Sequence, residues 1–167
     1  MIWFEWQDLS PALHAELLAH FRKNILSDVT LFQAVEEKDQ QRLLVTLLER
    51  LNPCQYGPGD TVFHVGEIGR NVYFVINGEV DLVDPKTREI VATFRKGSFF
   101  GENCLVTGEE VRPFTVRARS WSDICSLSKM DLDICLIDFP DAASVIRITA
   151  QVFLLAISTV RIDGPNN

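Results

Sequence analysis

The sequence predicts an α+β fold: an antiparallel β-roll, jelly-roll-like, flanked by N-terminal and C-terminal helices. Three observations carry this expectation. Apolar residues recur at helical spacing before Asn52 and after Ser128. From Cys54 to Ser128 the texture changes to short β-branched and aromatic runs, broken about every ten residues by glycine, asparagine or proline. A composition of 47% hydrophobic and 23% charged residues over 167 positions is that of one globular domain, and it excludes a disordered or collagen-like chain.

Leu13, Leu17, Leu18, Phe21 and Ile25 share one face of a helix spanning Ser10 to Leu26, with Ser10 as N-cap and Pro11 at the first helical position. A second helix is expected from Glu36 to Leu51, ended by Asn52-Pro53. Strands are expected at Thr61 to Val65, Val72 to Asn77, Glu79 to Asp84, Ile90 to Phe94, Thr115 to Ala118 and Ser122 to Leu127. Turns fall between them at Gly57-Pro58-Gly59-Asp60, Gly66 to Gly69, Asn77-Gly78 and Asp84 to Thr87. A short helix from Lys129 to Asp138 and a long one from about Ala142 to Val160, capped by Asp141, close the chain. The long helix is apolar around most of its circumference, which predicts packing against two surfaces.

Charge and motifs narrow the function. A formal net charge of -7 supplies no basic sheath for a run of phosphates, so no nucleic-acid partner is expected, although one small anion can still bind locally. Cys54, Cys104, Cys125 and Cys135 form no CxxC pair, and His14, His20 and His64 are scattered, so neither a disulfide framework nor a metal site is expected. No nucleophile elbow, metal triad or paired acid and base is found, so no catalytic residues and no enzyme are expected. The apolar run from Ala150 to Val160 is about half of the ~20 residues a membrane span needs, and the first residues carry no secretion signal, so a cytosolic setting is expected. The Trp3, Phe4 and Trp6 cluster is read either as packing at the start of a helix or as a contact with a neighbouring subunit.

The stretch from Phe99 to Val106, with Arg112 ten residues after Glu102, carries the chemistry. A glycine between a strand and a short helical turn lets backbone approach a ligand, and free N–H groups at the start of that turn attract an anion. An arginine one loop away can close on phosphate oxygens, and a glutamate at the same turn can accept from a sugar hydroxyl. Arg117 and Arg119 alternate with Val116 and Ala118, and are read as outward strand positions.

Phe100-Gly101-Glu102 with Arg112 resembles the phosphate-binding cassette of cyclic nucleotide-binding domains. Phe63 to Gly69 followed by Tyr73 to Val80 looks like the glycine-punctuated strand signature of the same family. Gly101-Glu102-Asn103-Cys104-Leu105 is similar to the Gly-Glu-Ile-Cys-Leu of the cyclic nucleotide-gated and hyperpolarisation-activated channel branch. Leu9 to Glu16, with His20 and Ile25 to Phe32, resembles the linker helices that join a channel pore to such a domain. The resemblance implies linker-like helices over 1–33 and a cyclic nucleotide-binding domain over 34–163, with the roll at about 54–128 and closing helices at about 129–160. It implies cAMP as ligand, with cGMP second, and no cofactor. It further implies a place on the cytoplasmic side of a membrane, within a channel or transporter that assembles as a tetramer or dimer.

By the same resemblance, Gly101 and adjoining N–H groups hold the cyclic phosphate, Glu102 the ribose 2′-hydroxyl and Arg112 the negative charge. Phe100, Asn103 and Cys104 complete the cassette. The family's Thr or Ser after the arginine, and then Ala, are here Pro113 and Phe114. Proline removes a backbone donor and the hydroxyl associated with guanine preference, while Phe114 is expected to crowd or partly fill the pocket. Phe153 stands where the channel branch carries a purine-contacting arginine, giving an apolar lid. The alternative is an assembly domain with an empty or self-filled pocket, as in ether-à-go-go-like channels; retention of Gly101, Glu102 and Arg112 favours binding.

Overall fold

In the computed structural model, residues 2–3, 35–107 and 110–160 are described. The expected helix from Ser10 to Leu26, and the calls on Phe4, Trp6, His14 and His20, lie outside them. The order is β1 (Ile2–Trp3), α1 (Glu37–Leu48), β2 (Asn52–Tyr56), β3 (Thr61–Phe63), β4 (Ile68–Gly69), β5 (Asn71–Asn77), β6 (Glu79–Val83), β7 (Ile90–Arg95), β8 (Phe99–Phe100), α2 (Asn103–Thr107), β9 (Glu110–Val111), β10 (Thr115–Ala118), β11 (Ser122–Ser128), α3 (Lys129–Leu136) and α4 (Pro140–Val160). One antiparallel sheet runs β1-β2-β11-β5-β8, the other β3-β10-β6-β7, and β4 pairs with β9 as a separate ribbon. This is the expected α+β roll between helices.

Strand alternation builds two cores from one sequence. Along β5, Val72, Phe74 and Ile76 face the helices, while Tyr73 and Val75 face the second sheet. Neighbouring Phe99 and Phe100 divide in the same way. The helix-side core joins Leu43, Leu47 and Leu48 of α1, Leu105 of α2, Leu132 and Leu136 of α3, and Ile146 and Ala150 of α4. Inside the roll, Phe63, Val80, Phe94, Phe100, Val116 and Ile124 pack together.

Several boundaries differ from the expected ones for local reasons. The chain after α1 enters β2 at Asn52, two residues before the expected change of texture, because β2 pairs with β11 through Asn52 and Pro53 themselves. α4 starts at Pro140, whose fixed φ suits a first helical turn, and Asp141 sits inside that turn rather than capping it. Ser128 caps α3, accepting from the Asp131 N–H at 3.0 Å. Ile2–Trp3 is a strand on the edge of the first sheet, not the start of a helix. Only one face of α4 is covered among the described residues: Ala142, Ile146 and Ala150 are buried, while Ile148 and Val152 are exposed. The expected second packing surface is therefore not found there.

Two turns join the strands tightly. Asp84 Oδ1 accepts from the N–H groups of Lys86 and Thr87 at 2.7 and 3.1 Å, closing the turn between β6 and β7. Gly78 has φ +86°, and a Cβ there would lie 2.3 Å from the Trp121 carbonyl oxygen. Gly78→Ala adds left-handed strain to a backbone clash and should cost about 2 kcal/mol or more, read as a lower urea midpoint at unchanged slope.

Candidate functional site

The chemistry expected from the cassette gathers around one side chain. Arg112 follows β9 directly and is 2% exposed, although its group is among the most costly to bury. Its backbone is clipped on both sides by the turn before β4: its N–H donates to the Glu67 carbonyl at 2.8 Å, and its carbonyl accepts from the Gly66 N–H at 2.8 Å. The side chain is thereby aimed inward. There Nη1 donates to the Gly101 carbonyl at 3.0 Å and Nη2 to the Asn71 carbonyl at 2.6 Å. The guanidinium carbon lies 4.5 Å from the centroid of the Phe63 ring and 5.9 Å from that of Tyr73.

Gly101 turns the chain from β8 into α2 with φ +77°, a conformation glycine adopts without strain. A Cβ at this position would stand 2.9 Å from Arg112 Nη1 and 3.0 Å from the Asn71 oxygen. Cys104, fully buried, points its thiol back to the Gly101 carbonyl at 3.2 Å, so this one oxygen accepts from both the cassette helix and the arginine. Glu102 is also buried, at 4% exposure, and its carbonyl accepts the Leu105 N–H at 2.8 Å to open α2. Beneath the turn, Phe100 stacks on Tyr73 with centroids 5.2 Å apart and on Phe94 at 5.3 Å.

A cavity of about 410 Å³ opens beside the arginine, lined by Phe63, Glu67, Ile68, Gly69, Arg70, Asn71, Tyr73 and Arg112. It pairs aromatic walls with a buried cation, a suitable combination for a ligand with a flat apolar part and a single anionic group. Among the described residues no group of three or more His, Cys, Asp and Glu side chains stands close enough to hold a metal.

The structure thus brings Gly101, Cys104 and Arg112 into direct contact, with Phe100 and Glu102 buried alongside. Asn103 begins α2 half-buried, and Pro113 is exposed. Phe114 belongs to the roll's own core and is not among the residues lining the cavity. Phe153 falls within α4, but its side chain is outside the described residues. Arg117 and Arg119 are exposed, and Arg119 also reaches the buried Asp81 at 2.9 Å. Phe63, Gly69 and Tyr73 enter the sequence reading only as part of a fold signature, and Asn71 does not enter it at all. The repeated glycines from Gly66 to Gly69 are the signal that could have found the turn holding the arginine.

Burial pushes the pKa of the Tyr73 phenol up, and the nearby Arg112 charge only partly offsets it. Tyr56 is raised further, again chiefly by burial. These are the chain's two tyrosines. In the unfolded chain both phenols lose their protons near pH 10, whereas the folded chain retains them. At these two groups the folded state therefore binds more protons above about pH 9, so the stability they contribute is fully present below that point and is lost as pH rises beyond it. Tyrosinate absorbance of the native protein should lag behind that of the urea-unfolded chain at every pH from about 9.5 upward.

The sequence profile of the cyclic nucleotide-binding domain matches residues 53–138. The chain is 31% identical over 149 residues to the human cyclic nucleotide-gated channel beta-1, covering 87% of this chain and 12% of that protein. It is 32% identical over 143 residues to a Caenorhabditis elegans cyclic nucleotide-gated channel, covering 83% of this chain and 19% of that one. Against the mouse cyclic nucleotide-gated channel alpha-4 it is 28% identical over 163 residues, 95% of this chain and 28% of the other. It thus spans a small part of these relatives' length. A solved structure of the C-linker/CNBHD of zELK channels, crystallized in the presence of cAMP, superposes with a TM-score of 0.66 at 21% identity, covering 87% of this chain and 71% of that one, which shows the shared fold.

Proposed function

The chain belongs to the cyclic nucleotide-binding domain family, and from that premise we propose that it is a ligand-sensing regulatory module that binds a cyclic nucleoside monophosphate, cAMP in preference to cGMP, and passes the binding event to a membrane channel or transporter. Its role is regulatory rather than catalytic. The observation that carries the reading is the buried Arg112 guanidinium at the wall of a cavity, with the Gly101 and Asn71 carbonyl oxygens among its partners.

A neutral carbonyl is a weaker partner for a guanidinium than an anion is. A cyclic phosphate arriving in the cavity replaces or supplements those two oxygens with charge-assisted bonds, while the surrounding aromatic walls keep water from screening them. The N–H groups at the Gly101 turn contribute further donors to the phosphate, and Glu102 takes the ribose 2′-hydroxyl. Pro113 lacks the hydroxyl and the N–H that are associated with guanine preference, so cGMP is left the poorer ligand.

Transmission follows from what the cassette touches. Cys104 and Leu105 of α2 share a core with Ala142, Ile146 and Ala150 of α4. A phosphate that reorders the Gly101 turn therefore presses on the last helix. A ligand shifts such an equilibrium only by the ratio of its affinities for the two arrangements, and the cassette bonds supply that ratio. In a complete protein, assembled from several subunits on the cytoplasmic side of a membrane, the displaced helices act on the pore. Among the described residues no helix is long and apolar enough to cross a membrane.

Calorimetric titration tests the reading. The wild-type chain should give saturable heat with cAMP and weaker binding with cGMP. Arg112→Ala should lose about 3 kcal/mol, roughly a hundredfold in affinity. Arg112→Lys, which keeps the charge but loses the fork, should fall between the two. No heat from either nucleotide would favour the assembly domain with a self-filled pocket.

A further inference from the structure

We propose that Gly69 sets where the Arg112 guanidinium sits, and through it how tightly the domain holds the phosphate of its ligand; this deepens the binding reading above and rests on it. Gly69 is the second residue of β4, paired with Glu110 of β9, and lines the same cavity as Arg112. A Cβ at Gly69 would stand 2.0 Å from Arg112 Nε, 2.1 Å from Cζ and 2.4 Å from Nη2. Three atoms of one plane at nearly equal distance mean that the guanidinium lies flat on the backbone here, an approach that only a residue without a side chain permits. With that seat in place, Nη1 and Nη2 reach the Gly101 and Asn71 carbonyls, and the cation rests over Phe63.

The backbone geometry separates this glycine from Gly78 and Gly101. Gly78 and Gly101 have positive φ, so any side chain there strains the main chain as well. Gly69 is not among the positive-φ residues, and its backbone accepts an alanine. The collision falls on the far end of a flexible side chain, with a cavity of about 410 Å³ beside it. The Arg112 main chain stays clipped to Gly66 and Glu67. Gly69→Ala therefore moves the guanidinium and leaves the fold. Gly69 is a positioning residue, acting through Arg112.

The test uses the wild type, Gly69→Ala, Arg112→Ala and the double variant. They are read first by thermal unfolding without ligand, then by calorimetric titration with cAMP. Gly69→Ala should lower Tm in the wild-type background and leave it unchanged or slightly raised in the Arg112→Ala background, where no guanidinium remains to collide. It should weaken cAMP binding by about tenfold or more, with no further loss when added to Arg112→Ala. If the alanine variant at 112 binds too weakly to titrate, Arg112→Lys takes its place. Equal Tm losses in both backgrounds, or additive losses of affinity, overturn the proposal. A wild type that gives no heat with cAMP or cGMP sinks the binding reading, and the ligand-free unfolding cycle then decides whether Gly69 seats the guanidinium.

Discussion

A guanidinium cannot shed its charge at any pH the protein meets, so burying one obliges the fold to surround it with acceptors. Arg112 meets that demand with backbone oxygens from two distant segments, Asn71 at the head of β5 and Gly101 at the exit of β8, and with the face of Phe63 from β3. Much of the local architecture follows. Gly69 must lack a side chain, Gly101 must turn with positive φ, and the β4–β9 ribbon must bring Arg112 back across the roll. The Gly101 and Asn71 carbonyls are neutral acceptors, each a weaker partner for a cation than a charged oxygen, and the cavity beside them gives an anionic guest access to the same guanidinium.

The same residues couple the site to the rest of the molecule. The Gly101 oxygen accepts from Arg112 on the roll side and from the Cys104 thiol on the helix side. Cys104 and Leu105 are embedded in the core that α1, α3 and α4 share with the first sheet. One peptide group thus lies between a charged pocket and a helical layer. Strand alternation makes this possible: Phe99 and Phe100, adjacent in sequence, anchor the turn in both cores at once.

The roll, its flanking helices and the cassette were legible in the sequence because each is written locally. Strand texture, the Asn77-Gly78 turn and the run from Phe99 to Cys104 need only near neighbours. Arg112 was legible as a cation near a glycine turn. What holds it was not, since Phe63, Gly69 and Asn71 lie about forty to fifty residues before it and meet it only once the ribbon has formed. Phe114, just before β10, packs into the roll's core beside Phe63 and Phe100, a placement that its size suggested but that its neighbours in sequence could not specify. Asp81 escaped notice too, a carboxylate within a strand that is buried because Thr93 and Arg119 satisfy it at 2.8 and 2.9 Å.

The most direct measurement follows the guanidinium itself. Nitrogen-detected NMR of the Arg112 side chain during addition of cAMP reports whether an anion joins or replaces its carbonyl partners. The account predicts a saturable shift of the Nε and Nη signals that is absent when uncharged adenosine is added. Signals unmoved by cAMP up to millimolar concentration would contradict it, and would leave Arg112 as a brace of the fold.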